Sequence, residues 1–133
     1  MNENLAPRPF NEEQRAKAVV KTGLIDAPKP EIFQVYCDLA KTITEFATAS
    51  FSLFDGDMEC AISATGKDEF ESGTQWERDK NNICSYVLLD TEPLLMHDVW
   101  SDQTWKNHPK AMNKTGARGY AGFPVVNKDN YAL

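Results

Sequence analysis

The chain has 133 residues, 14 Lys plus Arg, 20 Asp plus Glu and a net charge of −6, with 41% hydrophobic and 26% charged residues. That length bounds it to one domain with a real core, and the balance is that of a globular rather than a disordered chain. The acidic excess excludes a nucleic-acid backbone or an anionic membrane surface as partner. No run approaches the ~20 apolar residues of a membrane span, and no secretory leader precedes the first Pro residues, so cytoplasm is the expected compartment. Cys37, Cys60 and Cys84 are scattered, without a CxxC, which argues against a disulfide framework or a structural zinc site.

Residues 1–10, with Pro7 and Pro9, read as a flexible lead-in, and 11–133 as one domain. Asn11 before Glu12, Glu13 and Gln14 predicts a helix start, with Ala16, Val19 and Val20 as a narrow apolar stripe and Gly23 as the stop. Pro30 opens a second helix. Its stripe is Ile32, Tyr36, Leu39, Ile43 and Ala47, widened by Phe33, Ala40 and Phe46, with Cys37 as a small core residue.

The period then changes to two. Ser50–Phe54 and Met58–Thr65 alternate around Asp55-Gly56-Asp57, the signature of a β-hairpin. Residues 67–80 read as a polar loop, and Asn82–Leu89 as a short helix with Ile83, Cys84, Val87 and Leu88 inward. Leu94–Val99 reads as a strand, with Leu94, Met96 and Asp98 on one face. Residues 100–117 form a helical connection, Tyr120–Val126 a strand, 127–130 a turn, and Tyr131–Leu133 the start of a further strand. The order predicts an α+β fold with an antiparallel sheet, two N-terminal helices on one face and the 100–117 connection over the other.

No catalytic triad, GxSxG or phosphate loop occurs, and His97 and His108 lack a metal-ligand spacing. The acids Asp55, Asp57, Glu59, Asp68, Glu69 and Glu71 read as solvated loop charges. Cys84 is either a reactive thiol at a helix start or a buried small residue. Asp98 either caps the following connection or faces a ligand. Trp100, Trp105 and Tyr120 either fill the core or roof a pocket.

Asn82-Ile-Cys-Ser-Tyr-Val-Leu-Leu-Asp-Thr-Glu-Pro-Leu-Leu-Met-His-Asp-Val99, Trp105-Lys-Asn-His-Pro109 and Ala117-Arg-Gly-Tyr-Ala-Gly-Phe-Pro-Val125 together resemble the GAF family of sensor domains, over residues 12–133. The resemblance implies a non-catalytic regulatory domain that binds a small molecule or mediates dimerisation, with a signalling output carried elsewhere. The ligand does not transfer. Cys84 is followed by Ser85 rather than His, which counts against a covalent bilin, and Cys60 and Cys84 do not reproduce the cysteines of the family's methionine sulfoxide reductases. A thiol enzyme of that kind and a ligand-free interaction module stand as alternatives.

The expected pocket lies between Ser52, Phe54, Met96 and Asp98 and the 100–117 roof, bordered by Cys84, Trp105 and Tyr120. The expected assembly is a homodimer through the N-terminal helices. In GAF domains the late strand lies beside the first, and here only Tyr131–Leu133 remain of it. The C-terminal strand and helix are therefore expected to be truncated, and strand swapping between copies becomes an expectation too.

Overall fold

A computed structural model describes residues 4–27, 30–66, 71–112 and 118–133. Asp68, Glu69 and the Gly116-Ala117 end of the connection lie outside the described residues.

Helix α1 (Glu12–Thr22) is preceded by Asn11 and stopped by Gly23, whose φ of 67° is the left-handed conformation that a helix C-cap favours. Asn11 stands at the N-cap as expected but makes no side-chain cap bond. Helix α2 (Ile32–Thr44) follows. Strands β1 (Ala49–Phe54) and β2 (Met58–Thr65) form the predicted hairpin, closed by Asp55 Oδ1 accepting from the Asp57 and Met58 amides at 2.8 and 2.7 Å. A register shift between Phe51 and Ser52 marks a β-bulge. Strand β3 (Gln75–Glu77) pairs antiparallel with β2, inside the region expected to be only loop.

Ile83–Leu89 is a 3-10 helix that buries Ser85, Val87 and Leu88, with Ile83 and Cys84 partly buried. Strands β4 (Leu94–Met96) and β5 (Tyr120–Gly122) pair with each other, and the short helix α3 (Pro109–Met112) lies in the connection between them. Both strands are shorter than expected. After Met96 the chain turns, which buries Val99 beside Met96 and ends the alternation.

The architecture is α+β with small antiparallel sheets, β1-β2-β3 and β4-β5, rather than one continuous sheet. The C-terminal residues lie between β1 and the 125–126 segment. The Phe54 amide donates to Leu133 O at 2.9 Å, the Leu133 amide donates to Val125 O at 2.8 Å, and Val126 bridges Ala132. The tail of this one chain thus occupies the place beside the first strand. No partner copy is needed at Phe54, the point where strand swapping was expected.

The hairpin has two differently covered faces. Val19 of α1 packs with Leu53, Cys60, Ile62 and Leu133, joined by Phe33 and Phe51. The rings of Phe33 and Phe51 stack with centroids 4.5 Å apart. Phe54, on the other face, packs with Leu88, Ala132 and Cys84.

Helix α2 sits on this hairpin the other way round from its sequence pattern. Phe33 and Cys37 face the sheet, Cys37 being buried, and Gln34 accepts a hydrogen bond from Ser63 Oγ at 3.0 Å. Ile32, Tyr36, Leu39 and Ile43, the stripe read as inward, are between 52% and 72% exposed, and Ala47 is exposed as well. What fixes this face on the sheet is the Phe33–Phe51 stack, the Cys37 thiol donating to Ser63 O and the Ser63 hydroxyl donating to Gln34.

The N-terminal residues 4–8 are tied down rather than free. The Ala6 amide donates to Arg78 O, the Lys80 amide donates to Asn4 O, Leu5 bridges Asp79, and Ala6 is buried. Below them, Arg15 and Arg78 are fully buried cations sharing Glu12. Arg78 Nη1 and Nη2 each donate to a Glu12 oxygen at 2.9 Å, and Arg15 Nη1 donates to both oxygens at 2.7 and 3.0 Å. Carbonyls take further bonds: Arg15 reaches those of Ala132, Phe54 and Leu133, and Arg78 Nη1 those of Asp55 and Gly56, while Arg78 Nε is buried with no partner among the described residues. One carboxylate therefore joins α1, the β1–β2 turn, the end of β3 and the C-terminal tail.

Candidate functional site

The face of the hairpin opposite the helices carries a polar cluster. It is built from β1 (Ser52), β2 (Glu59), the residue before the 3-10 helix (Asn82), that helix's first turn (Cys84) and β5 (Tyr120). Glu59 pairs with Phe54 across the hairpin and is 4% exposed. Asn82 Nδ2 donates to its Oε2 at 2.9 Å and to Glu77 O at 3.1 Å. The Tyr120 phenol hydrogen-bonds the Cys84 thiol, which in turn hydrogen-bonds the Glu59 carboxyl. Ser52 Oγ faces the same carboxyl, yet it is buried and has no hydrogen bond of normal geometry among the described residues.

Burial sets the protonation. Desolvation raises Glu59 above the ordinary carboxyl range, outweighing the stabilising bond from Asn82 and the nearby Ser52 hydroxyl and Cys84 thiol. Desolvation, reinforced by the Glu59 charge, pushes the Cys84 thiol up to about 12. Tyr120 is raised as well, first by burial and then by Cys84. The cluster thus sets a phenol and a thiol that keep their protons beside a carboxyl whose pKa burial raises and an amide. Cys84 holds its proton at neutral pH and is no activated nucleophile, because it is the thiolate that attacks.

Gly122 explains the tight Tyr-Ala-Gly turn of β5. A Cβ there would lie 2.5 Å from Val87 Cγ2 and 2.7 Å from the Tyr120 hydroxyl. Only a glycine lets the Tyr120 ring fold back over its own strand and reach Cys84.

The residues expected at the site separate into groups. Ser52, Cys84 and Tyr120 come together, and Phe54 packs against Cys84. Met96 and Trp105 lie in a second apolar cluster with Val99 and Ala111, against which Tyr120 also packs; Tyr86 meets Trp105 edge to face at 4.8 Å. Tyr120 therefore connects the two groups.

Asp98 is engaged elsewhere. Its Oδ1 accepts from the Trp100 amide at 3.1 Å, and the Arg118 guanidinium donates to both oxygens at 3.1 Å while lying 4.7 Å from the Trp100 ring. The Arg118 bonds hold its carboxyl below the usual range. Asp98 fixes the turn after β4 and the approach to β5, as the capping alternative had it.

Glu59 and Asn82 were missed by sequence reasoning. Glu59 had been grouped with solvated acids, but it alternates with Cys60 inside an eight-residue strand whose other members are small or apolar. An acid in such a register is the signal.

Cys60 points into the helix-side core, whereas Cys84 belongs to the opposite face, and all three cysteines are free. A disulfide-forming pair, which the reductase alternative requires, is not assembled. Among the described residues no group of His, Cys, Asp or Glu could hold a metal ion. His108 Nε2 instead meets Asn81 O at 2.9 Å. Among the described residues no helix is long and apolar enough to cross a membrane.

A surface depression lies apart from this cluster. It is an open groove of about 510 Å³ between α1 and the β1–β2 turn, lined by Ala16, Lys17, Val20 and Gly56 among others. Glu13, Lys21 and Asp55 also line it, and Lys17 there is paired with Glu13.

No known family model matches the chain, and no curated protein sequence matches it.

Proposed function

We propose that this chain is a non-catalytic, GAF-type regulatory domain that binds a small molecule at the Ser52–Glu59–Cys84–Tyr120 cluster and serves a signalling output carried elsewhere. The observation that carries this reading is the buried carboxyl of Glu59, 4% exposed, beside a buried Ser52 hydroxyl with no hydrogen bond of normal geometry among the described residues. Such a pair costs stability, since each polar group gives up water. Sites that retain polar groups at that cost are candidates for recognition.

The ligand that fits is small and mostly apolar, with one head that can both donate to and accept from a carboxyl, a thiol and a phenol. Tyr120 closes the cluster, so entry requires its ring to swing off Gly122. Met96 and Trp105 then supply the apolar wall.

Native mass spectrometry of the whole chain, purified without denaturation, tests this. The expected result is a population heavier than the bare chain by a small-molecule mass, released on unfolding and absent from Glu59→Leu. A wild-type chain that carries only its own mass, and gains none from small-molecule libraries, would overturn the reading.

A further inference from the structure

Glu59 stands in the middle of a row that crosses three strands. Phe54 of β1 lies directly opposite it on one side, and Trp76 of β3 on the other. Residues paired in this way across antiparallel strands project from the same face of the sheet, with Cβ atoms about 5 Å apart. A carboxyl is therefore set between two aromatic side chains, and the Tyr120 phenol approaches the same group through Cys84.

The charge of that carboxyl is left unanswered. Glu12, itself partly buried, is met by the guanidinium groups of Arg15 and Arg78. Glu59 is more deeply buried, yet among the described residues no Lys, Arg or His forms an ion pair with it. Its polar neighbours are the Asn82 amide, the Ser52 hydroxyl and the Cys84 thiol, none of them a cation. A buried carboxylate without a counter-ion is costly, and a cation brought beside it offsets that cost. The aromatic side chains favour the same guest, because the face of a ring is electronegative.

We propose that the ligand of this cluster is a small organic amine, protonated at neutral pH, with a hydroxyl on the neighbouring carbon. This rests on the small-molecule reading above and names the ligand's chemical class. The ammonium group donates to Glu59 between Phe54 and Trp76. The hydroxyl, which both donates and accepts, serves the Tyr120 phenol and the buried Ser52 hydroxyl, which has no hydrogen bond of normal geometry among the described residues. The apolar body meets Met96 and Trp105.

Three probes of nearly equal shape separate charge from shape: phenylethanolamine is a cation, styrene glycol is neutral and mandelate is an anion. Each is titrated at neutral pH into the whole ¹⁵N-labelled chain, and binding is read from the amides of Ser52, Glu59 and Cys84. Phenylethanolamine is expected to bind about 10-fold or more tightly than the glycol, and mandelate to leave these amides unmoved. Glu59→Gln keeps the shape and removes the charge, so it is expected to weaken phenylethanolamine about 10-fold and the glycol less than about two-fold. Trp76→Leu is expected to weaken the cation a few-fold, and it keeps the test intact if circular dichroism shows that Glu59→Gln misfolds. Glycol or mandelate binding the cluster as tightly as the amine would overturn the amine assignment and leave the site standing. Three probes that all leave the cluster unmoved, or a cation indifferent to both substitutions, would overturn the assignment too. Whether any small molecule occupies the site is read separately, from the mass of the native chain.

Discussion

Glu12→Gln is expected to destabilise the fold by about 3–5 kcal/mol, read from urea or thermal unfolding. The cause is what remains rather than what is lost. Arg15 and Arg78 are both fully buried and, among the described residues, pair with no carboxylate but this one, so removing its charge leaves two uncompensated guanidinium groups in the interior. Their carbonyl partners persist, but carbonyl dipoles do not neutralise two cations.

The same network sets a pH dependence. Burial alone would raise Glu12, but the hydrogen bonds from Arg78 and Arg15 outweigh it and hold the group below the usual carboxylate range. Its contribution is therefore complete above the unfolded value of about 4.3 and is lost as pH falls through the lowered native value. Glu59 runs the opposite way. Its native value is raised, so its contribution is full below the unfolded value and declines as pH climbs through the raised one. Glu59→Gln is expected to remove that decline and to equal or exceed the wild type in stability at neutral pH.

Phe33→Ala is expected to cost about 3 kcal/mol, and Tyr36→Ala, three residues along the same helix, about 0.5 kcal/mol or less in the monomer. Phe33 stacks on Phe51 and packs against the Val19–Leu53–Ile62 core, whereas Tyr36 is 62% exposed. Thermal unfolding of both variants at high dilution checks it. Equal costs would mean that α2 is turned the other way on the sheet.

That contrast also marks what was legible in the sequence. Both helices were, because Asn11, Gly23 and Pro30 bound them and apolar spacing runs between. The hairpin was, because Asp55-Gly56-Asp57 separates two alternating runs. The face that α2 buries was not. Periodicity reports where apolar residues lie on a helix and says nothing about which partner each side meets, and here Phe33, Cys37 and Gln34 meet the sheet. Strand β3 was hidden for a related reason: Gln75-Trp76-Glu77 carries almost no apolar pattern, and it pairs because β2 offers it an edge.

The candidate site was legible in part. Ser52, Cys84 and Tyr120 were reached through alternation and motif, and they do converge. Asp98 was expected to line the same pocket; its bonds to Arg118 and the Trp100 amide, made by a residue distant in sequence and by backbone, were not legible. Glu59 and Asn82 meet only after the hairpin and the 3-10 helix pack, a contact between positions 23 residues apart that no local pattern encodes.

The position of the small-molecule site is tested most directly by amide chemical-shift mapping of the ¹⁵N-labelled chain, titrated with a set of small aromatic and heterocyclic fragments bearing one polar head. The account predicts that binding fragments move the amides of Ser52, Glu59, Cys84, Tyr120 and Gly122 together, and that Glu59→Leu abolishes those shifts. Fragments that perturb only the groove beside Val20 and Gly56, or that leave the Glu59 cluster unmoved at saturation, would contradict it.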